Sequence, residues 1–149
     1  MKIINLLLIF MVLALVSCSH EPEPINFGHD ECTLCKMTIS DTKYGAEIVT
    51  KKGRIYKFDA LECMAKYIIE GNIDTNDTHS MWTVDYSNPT KLINVQSAGY
   101  LRSKSLPSPM AMFLTSFSDN RKLEEVKEVH NGEILDWHGI IKTVANEWD

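Results

Sequence analysis

The sequence predicts an α+β domain made of two small related halves, placed behind a targeting segment and a flexible tether. Two short β-prone runs, residues 46–50 and 54–58, are separated by a glycine turn and followed by a helical pattern. A second series of short strands and helical patterns follows residue 89. A chain of 149 residues is long enough for one domain of usual size, or for two very small units that share a core.

The N-terminal 17 residues are typical of a lipoprotein signal peptide. Lys2 gives a positive start, and residues 3–16 form an almost unbroken apolar run that is too short to span a bilayer comfortably. The run ends in Leu-Val-Ser-Cys18, which resembles the bacterial lipobox. We therefore predict cleavage after residue 17, a lipid on Cys18, and attachment to the periplasmic face of a membrane. Ser19 stands where some inner-membrane lipoproteins carry Asp, which favours the outer membrane.

Residues 18–28 are predicted to form the lipidated end and a flexible tether. Pro22 and Pro24 lie there among polar residues, a composition typical of an extended linker. The folded domain is then expected over residues 29–149.

The first predicted half covers residues 29–88. Gly53 follows two lysines between the two strands and predicts a hairpin turn. Asp59 and Glu62 have the spacing of a capping box, so a helix is expected from Asp59 until Gly71 ends the pattern. A polar loop and a strand over residues 81–86 complete this half.

The second predicted half covers residues 89–149. Its expected elements are strands at 92–96, 112–117 and 133–135 and helices at 120–130 and 137–148. Pro107 and Pro109 exclude a helix and predict a rigid loop before the second of these strands. Residues 35–39 weakly resemble 108–112, and 53–59 resemble 132–136, which is why we predict related halves.

Charge and motif content exclude several functional classes. The chain has a formal net charge of −5, which argues against nucleic acid as a partner. It has no Ser/His/Asp set, no paired-carboxylate motif and no glycine-rich phosphate loop, so no enzyme activity is predicted.

The segment from His29 to Met37 is the strongest functional signal. It brings Cys32, Cys35 and Met37 within nine residues. Thiolate and thioether sulfurs are soft ligands, and a mixed Cys/Met set favours Cu(I), whereas zinc rarely takes a thioether. Met110, which follows a proline in a loop, is a further thioether outside a natural core position. We therefore predict a Cu(I) site built from Cys35, Met37, Met110 and Cys32.

Other residues are open as additional ligands. Cys63 lies beside the apolar stripe of the first helix and is interpreted as a core residue. Met64, Met81 and Met112 are also interpreted as core. Whether Cys32, Cys63, Met112 or a histidine completes the site stays open at this point; the histidines considered are His29, His79, His130 and His138.

Two other functions compete with copper binding. One is a structural zinc site that uses Cys32, Cys35, Cys63 and a histidine. The other is a thiol–disulfide redox role for Cys32 and Cys35, a pair that is also easily oxidised to a disulfide in the periplasm.

The ordered combination of lipobox, proline-rich tether, Cys35-Lys-Met37, Phe58-Asp59 and Ser108-Pro109-Met110 resembles the NosL family of copper-binding lipoproteins. The resemblance covers essentially the whole mature chain. It implies two related ββαβ-like halves and a Cu(I) chaperone that supplies the copper–sulfur centre of nitrous oxide reductase, with that enzyme and its assembly machinery as partners. Family elements match Cys35, Met37, Pro109 and Met110. Cys32 is often missing in the family, and Ala111 departs from the expected Met-Gly sequence, so either Met110 or Met112 can face the metal.

Overall fold

The computed structural model describes residues 20–148. The predicted signal peptide and the predicted lipid attachment at Cys18 lie outside the described residues. Within residues 20–148 there are two antiparallel sheets and three α-helices, which confirms the predicted α+β class. No helix of this part of the chain is long and apolar enough to cross a membrane.

The first sheet has four strands in the order β2-β1-β3-β4. Its strands are β1 (Ala46–Thr50), β2 (Ile55–Phe58), β3 (Thr78–Val84) and β4 (Leu92–Asn94). The predicted hairpin joins β1 to β2, and Gly53 has the positive φ of +76° that such a turn needs. All five residues of the central strand β1 are buried. Because β4 belongs to this sheet, the first sheet extends past the predicted division at residues 88/89.

The second sheet has three strands in the order β6-β5-β7. Its strands are β5 (Gly99–Arg102), β6 (Leu114–Phe117) and β7 (Glu133–Leu135). Strand β5 pairs with a neighbour on each side, so Tyr100 and Leu101 are fully buried. The Tyr100 hydroxyl donates a 2.6 Å hydrogen bond to the carbonyl of Val95, which satisfies its polar atom inside the core.

The helices are α1 (Leu61–Ile69), α2 (Asn120–His130) and α3 (Trp137–Glu147). Asp119 and Asp136 cap α2 and α3 by accepting hydrogen bonds from backbone N–H groups. The capping box predicted for α1 is wrong. Ala60 is its N-cap and has no polar side-chain atom that could accept a capping bond, and the side chain of Asp59 is buried.

The main core lies where α1 and α3 pack together against the sheets. This core contains Met64 of α1 and Ile140 and Val144 of α3, and the two sheets add Phe58 and Tyr100. Helix α3 from the second half therefore packs on the helix of the first half. This arrangement buries all of residues 61–65, the beginning of α1, where Cys63 lies.

Residues 20–28, which we predicted as a flexible tether, pack along the first sheet in the structure. Ile25 is buried, and the backbone N–H of Glu23 donates to Glu47 Oε1 at 2.9 Å. The Lys57 ammonium lies 2.8 Å from Asp30 and donates to the Pro24 carbonyl at 3.1 Å. This N-terminal segment is therefore held by burial as well as by polar contacts.

Glu47 makes stability depend on pH. Burial raises its pKa from 4.5 to about 7, so the folded protein binds this proton more tightly than the unfolded chain does. The contribution of Glu47 to the free energy of unfolding is therefore complete below about pH 4.5 and is lost as pH rises through about 7. Replacing Glu47 by Gln should flatten this decline.

Urea unfolding of wild type and Glu47→Gln at pH 5 and pH 8 measures the effect, with the exposed Glu70→Gln as control. Asp59 and Glu62, whose pKa values burial also raises, add to the decline in both proteins, whereas the lowered pKa of Cys32 acts in the opposite direction in both. The contribution of Glu47 is therefore the difference between the two proteins in the change of unfolding free energy from pH 5 to pH 8. Equal loss of stability in wild type and Glu47→Gln would contradict this role of Glu47.

Candidate metal centre

Three cysteine thiols meet at one end of the first sheet. The sulfur atoms of Cys32, Cys35 and Cys63 all lie within 4.8 Å of one another. Cys32 and Cys63 are 0% exposed, while Cys35 is half-buried. All three are free thiols rather than a disulfide. The Cys32–Cys35–Cys63 cluster is thus a compact sulfur site that is covered except at Cys35.

The loop that carries Cys32 and Cys35 is closed by its own backbone. The Cys32 N–H donates to the Met37 carbonyl at 2.8 Å, and the Lys36 N–H donates to the Cys32 carbonyl at 3.1 Å. Lys36 has a φ of +63°, which turns the chain back on itself. The Thr33 N–H donates to the Lys57 carbonyl at 2.7 Å and so fixes the loop to β2. Both sulfurs are therefore directed toward the beginning of α1.

Cys63 lies in the same sulfur cluster but belongs to helix α1. Strand β2 ends at Phe58, and α1 begins three residues later at Leu61. Cys63 then lies in the first turn of the helix, on the face that packs into the core. The sequence interpretation as a core residue accounts for its burial, and only the structural zinc alternative had grouped it with Cys32 and Cys35.

The pKa values of the three thiols differ. The Cys63 thiol donates to Cys32, and this bond, together with backbone N–H groups of Asp59 and Cys35, lowers the pKa of Cys32 to about 5. Burial raises the pKa of Cys35. The same bond to Cys32, followed by burial, raises the pKa of Cys63. Near neutral pH the cluster therefore holds one thiolate, stabilised by two thiols.

Asp59 is a neighbour that the sequence did not assign to the site. Its backbone N–H stabilises the Cys32 thiolate. Burial, followed by repulsion from Cys32, raises the pKa of the Asp59 carboxyl to about 6. Its side chain thus borders the sulfur cluster instead of capping α1.

The two predicted thioether ligands have different environments. Met37 lies at the end of the closed loop, and 51% of its surface is exposed to solvent. Met110 is half-buried in the loop before β6, where it packs against the main core. Met112 is buried, as expected of a core residue, although it lies before β6 rather than within it. Met64 is also fully buried, and Met81 packs partly buried against the core.

Within residues 20–148 the histidines do not join the cysteine cluster. His29 and His138 are exposed. The His130 ring lies 3.1 Å from the Ser105 hydroxyl, and the His79 ring lies 4.9 Å from that of His20. The three cysteines are the one group of three or more Cys, His, Asp or Glu residues in this part of the chain that could hold a metal ion.

The donor set favours a soft ion held at a site with low coordination number. Three sulfurs suit Cu(I), whereas a closed structural zinc site needs a fourth ligand. The thiolate of Cys32 is buried, unlike the partially exposed thiolates of redox-active cysteines. An open cleft of about 520 Å³ lies beside Cys32, with Lys36, Arg54 and Tyr56 on its walls. This cleft borders the loop that carries the cluster, whereas the sulfurs themselves are accessible to a second protein at half-buried Cys35.

Comparisons with known proteins give the same picture of the fold. The family model described as NosL matches residues 24–145. The copper-binding lipoprotein NosL of Stutzerimonas stutzeri is 24% identical over 156 residues, covering 96% of this chain and 82% of that protein. The crystal structure of the copper chaperone NosL from Shewanella denitrificans superposes with a TM-score of 0.68 at 21% identity, covering 80% of this chain and 95% of that chain.

Proposed function

Because this chain belongs to the NosL family, we propose that it is a periplasmic lipoprotein that binds Cu(I) and delivers it for assembly of the copper–sulfur centre of nitrous oxide reductase. Copper is its cargo, and the reductase with its assembly machinery is the recipient. The protein acts as a carrier and not as an enzyme. Through this delivery it serves denitrification.

The observation that carries the proposal is the meeting of three thiols within 4.8 Å. Soft sulfur ligands hold Cu(I) in preference to hard cations. The Cys32 thiolate supplies one negative charge for the incoming ion without loss of a proton. We propose exposed Met37 and half-buried Met110 as additional, weaker thioether ligands.

The metal assignment is tested by titration of the soluble domain in competition with a Cu(I) chelator. We expect one Cu(I) per chain, bound more tightly than Zn(II) at the same pH. Tighter binding of Zn(II) would favour the structural zinc alternative. Metal-free thiol–disulfide exchange activity would favour the redox alternative.

Delivery requires that the site also releases its ion. Thiolates hold the ion, whereas neutral thioethers donate less strongly and exchange more easily. Met37 at the surface is placed to leave first, and the recipient's ligands can then replace the others one at a time. An open site in which about two or three of these sulfurs bind the ion at any one time allows such a stepwise exchange.

Replacing Met110 by Ala should weaken Cu(I) retention less than Cys35→Ser does, and it should change the rate of transfer to the apo reductase. A thioether contributes less to binding than a thiolate does. Chelator competition measures retention, and copper uptake by the reductase measures transfer. The control is Met81→Ala, which removes a methionine from β3. Unchanged retention and transfer in Met110→Ala would show that Met110 only packs.

Lipid on Cys18 would place the protein at the periplasmic face of the membrane, and we propose the outer membrane because Ser19 follows the anchor. Replacing residues 1–18 by a cleavable secretory signal that leaves no cysteine should release the protein into the soluble periplasmic fraction. Separation of inner and outer membranes locates the wild type. Release of the wild type without detergent would contradict lipid anchoring.

A further inference from the structure

Glu62 is a fully buried carboxylate that has no role as a ligand in the proposed copper site. It is 0% exposed and lies in the first turn of α1, directly before Cys63. Glutamate is almost never fully buried unless it is paired or hydrogen-bonded, because its desolvation is costly. Within residues 20–148 no cation lies at ion-pair distance from it. Its burial must therefore be supported by hydrogen bonds.

Its partners come from the loop of the second half that carries Met110. The Ser108 hydroxyl donates to Glu62 Oε1 at 2.5 Å. The backbone N–H groups of Met110 and Met112 also point toward the carboxylate and favour its charged form. Only the Ser108 bond has full hydrogen-bond geometry, so Oε2 keeps no such partner. The Glu62 side chain of α1 thus faces one hydroxyl and two backbone N–H groups of a loop that is distant in sequence.

That loop has a strained backbone. Ala111 and Phe113 have φ values of 59° and 63°, in the left-handed region that non-glycine residues seldom adopt. The Phe113 N–H donates to the Ser108 hydroxyl and the Ala111 N–H to the Ser108 carbonyl, both at 2.9 Å. Such strain persists only where the surroundings impose it. Ser108 links these turns to Glu62, so the carboxylate holds the loop in this shape.

We propose that Glu62 is a positioning residue of the copper site, which fixes the Met110 loop of the second half against the helix that carries Cys63. The inference rests on the proposed copper-binding function. Cys32, Cys35 and Cys63 all belong to the first half, and Met110 is the sulfur that the second half would supply. Glu62 then couples the two halves at the site, although it does not bind the ion itself.

A double-mutant cycle tests this role in the folded protein. Cu(I) affinity is measured by chelator competition for wild type, Glu62→Gln, Met110→Ala and the double variant. If Glu62 acts through Met110, each single variant weakens binding by about five- to tenfold and the double variant is no weaker than the single ones. A purely structural Glu62 would lower the melting temperature and leave the affinity of the folded protein unchanged.

Glu47→Gln is the matched control, since Glu47 is equally buried, also has one unpartnered oxygen, and contacts the N-terminal segment instead. Its copper affinity should equal that of wild type. If Glu62→Gln does not fold, Ser108→Ala interrupts the same link and takes its place in the cycle. Wild-type affinity in the folded Glu62 or Ser108 variant, no effect of Met110→Ala, or losses that multiply in the double variant would each overturn the inference. A wild-type protein that binds no Cu(I) would instead refute the proposed function.

Discussion

Replacing Cys63 by Ser is expected to lower Cu(I) affinity by at least about 100-fold, or about 2.7 kcal/mol. The Cys63 sulfur lies within 4.8 Å of the two other cysteine sulfurs, so one soft ion can contact all three. A serine hydroxyl is a hard ligand that keeps its proton. The loss should therefore be comparable to that of Cys35→Ser.

Chelator competition on the folded variants measures this loss, with circular dichroism as the check on folding. The control is Met64→Leu, a volume-conserving change at the next residue of α1, which is also fully buried. Wild-type affinity in Cys63→Ser together with a loss in Cys35→Ser would show that Cys63 is only a core residue. The pair of Cys35 and Met37 would then carry the site without it.

The sequence predicted the elements of the fold better than their pairing. Local signals such as Gly53 and the periodicity of residues 61–69 were sufficient for the first hairpin and helix, because they act over a few residues. The pairing of β1 with β3, and of β5 with β7, joins strands that are separated in the chain by a further strand and a helix. No local pattern encodes that choice.

Two local predictions failed because tertiary contacts outweighed them. Asp59 has the spacing of a helix cap, but its side chain is buried beside the sulfur cluster. The polar, proline-containing N-terminal segment has the composition of a linker. Ile25 and the bond from Glu23 to Glu47 nevertheless fix it to the sheet. The burial of Ile25 and the bond between Glu23 and Glu47 both involve residues that are distant in sequence, so the composition of the segment does not predict them.

The sequence assigned two of the three clustered cysteines to the predicted Cu(I) site. Cys32 and Cys35 were evident because they are close in the chain. Cys63 was read as a small buried hydrophobe, which is how most cysteines in an apolar helix stripe behave. Its place in the cluster depends on the position of α1, which follows β2, relative to the loop of residues 29–39. That position is set by the tertiary fold.

Cu(I) affinity is expected to rise by at least about tenfold per pH unit between about pH 6 and pH 8, because binding must displace at least one thiol proton. The pKa of Cys32 is lowered to about 5, so it is already a thiolate in this range. The pKa values of Cys35 and Cys63 are raised, so both thiols enter the interval protonated. Copper binds their thiolates, and each thiol that becomes a ligand releases its proton.

Chelator competition at several pH values gives the slope, and calorimetry in buffers of different ionisation enthalpy counts the released protons. One proton would indicate that either Cys35 or Cys63 joins Cys32 as a thiolate, and two protons would indicate that both do. Met110→Ala is the matched control, since a thioether carries no proton and its removal should leave the slope unchanged. An affinity that does not vary with pH would mean that neither protonated thiol becomes a ligand, and it would leave Cys32 as the sole thiolate on the ion.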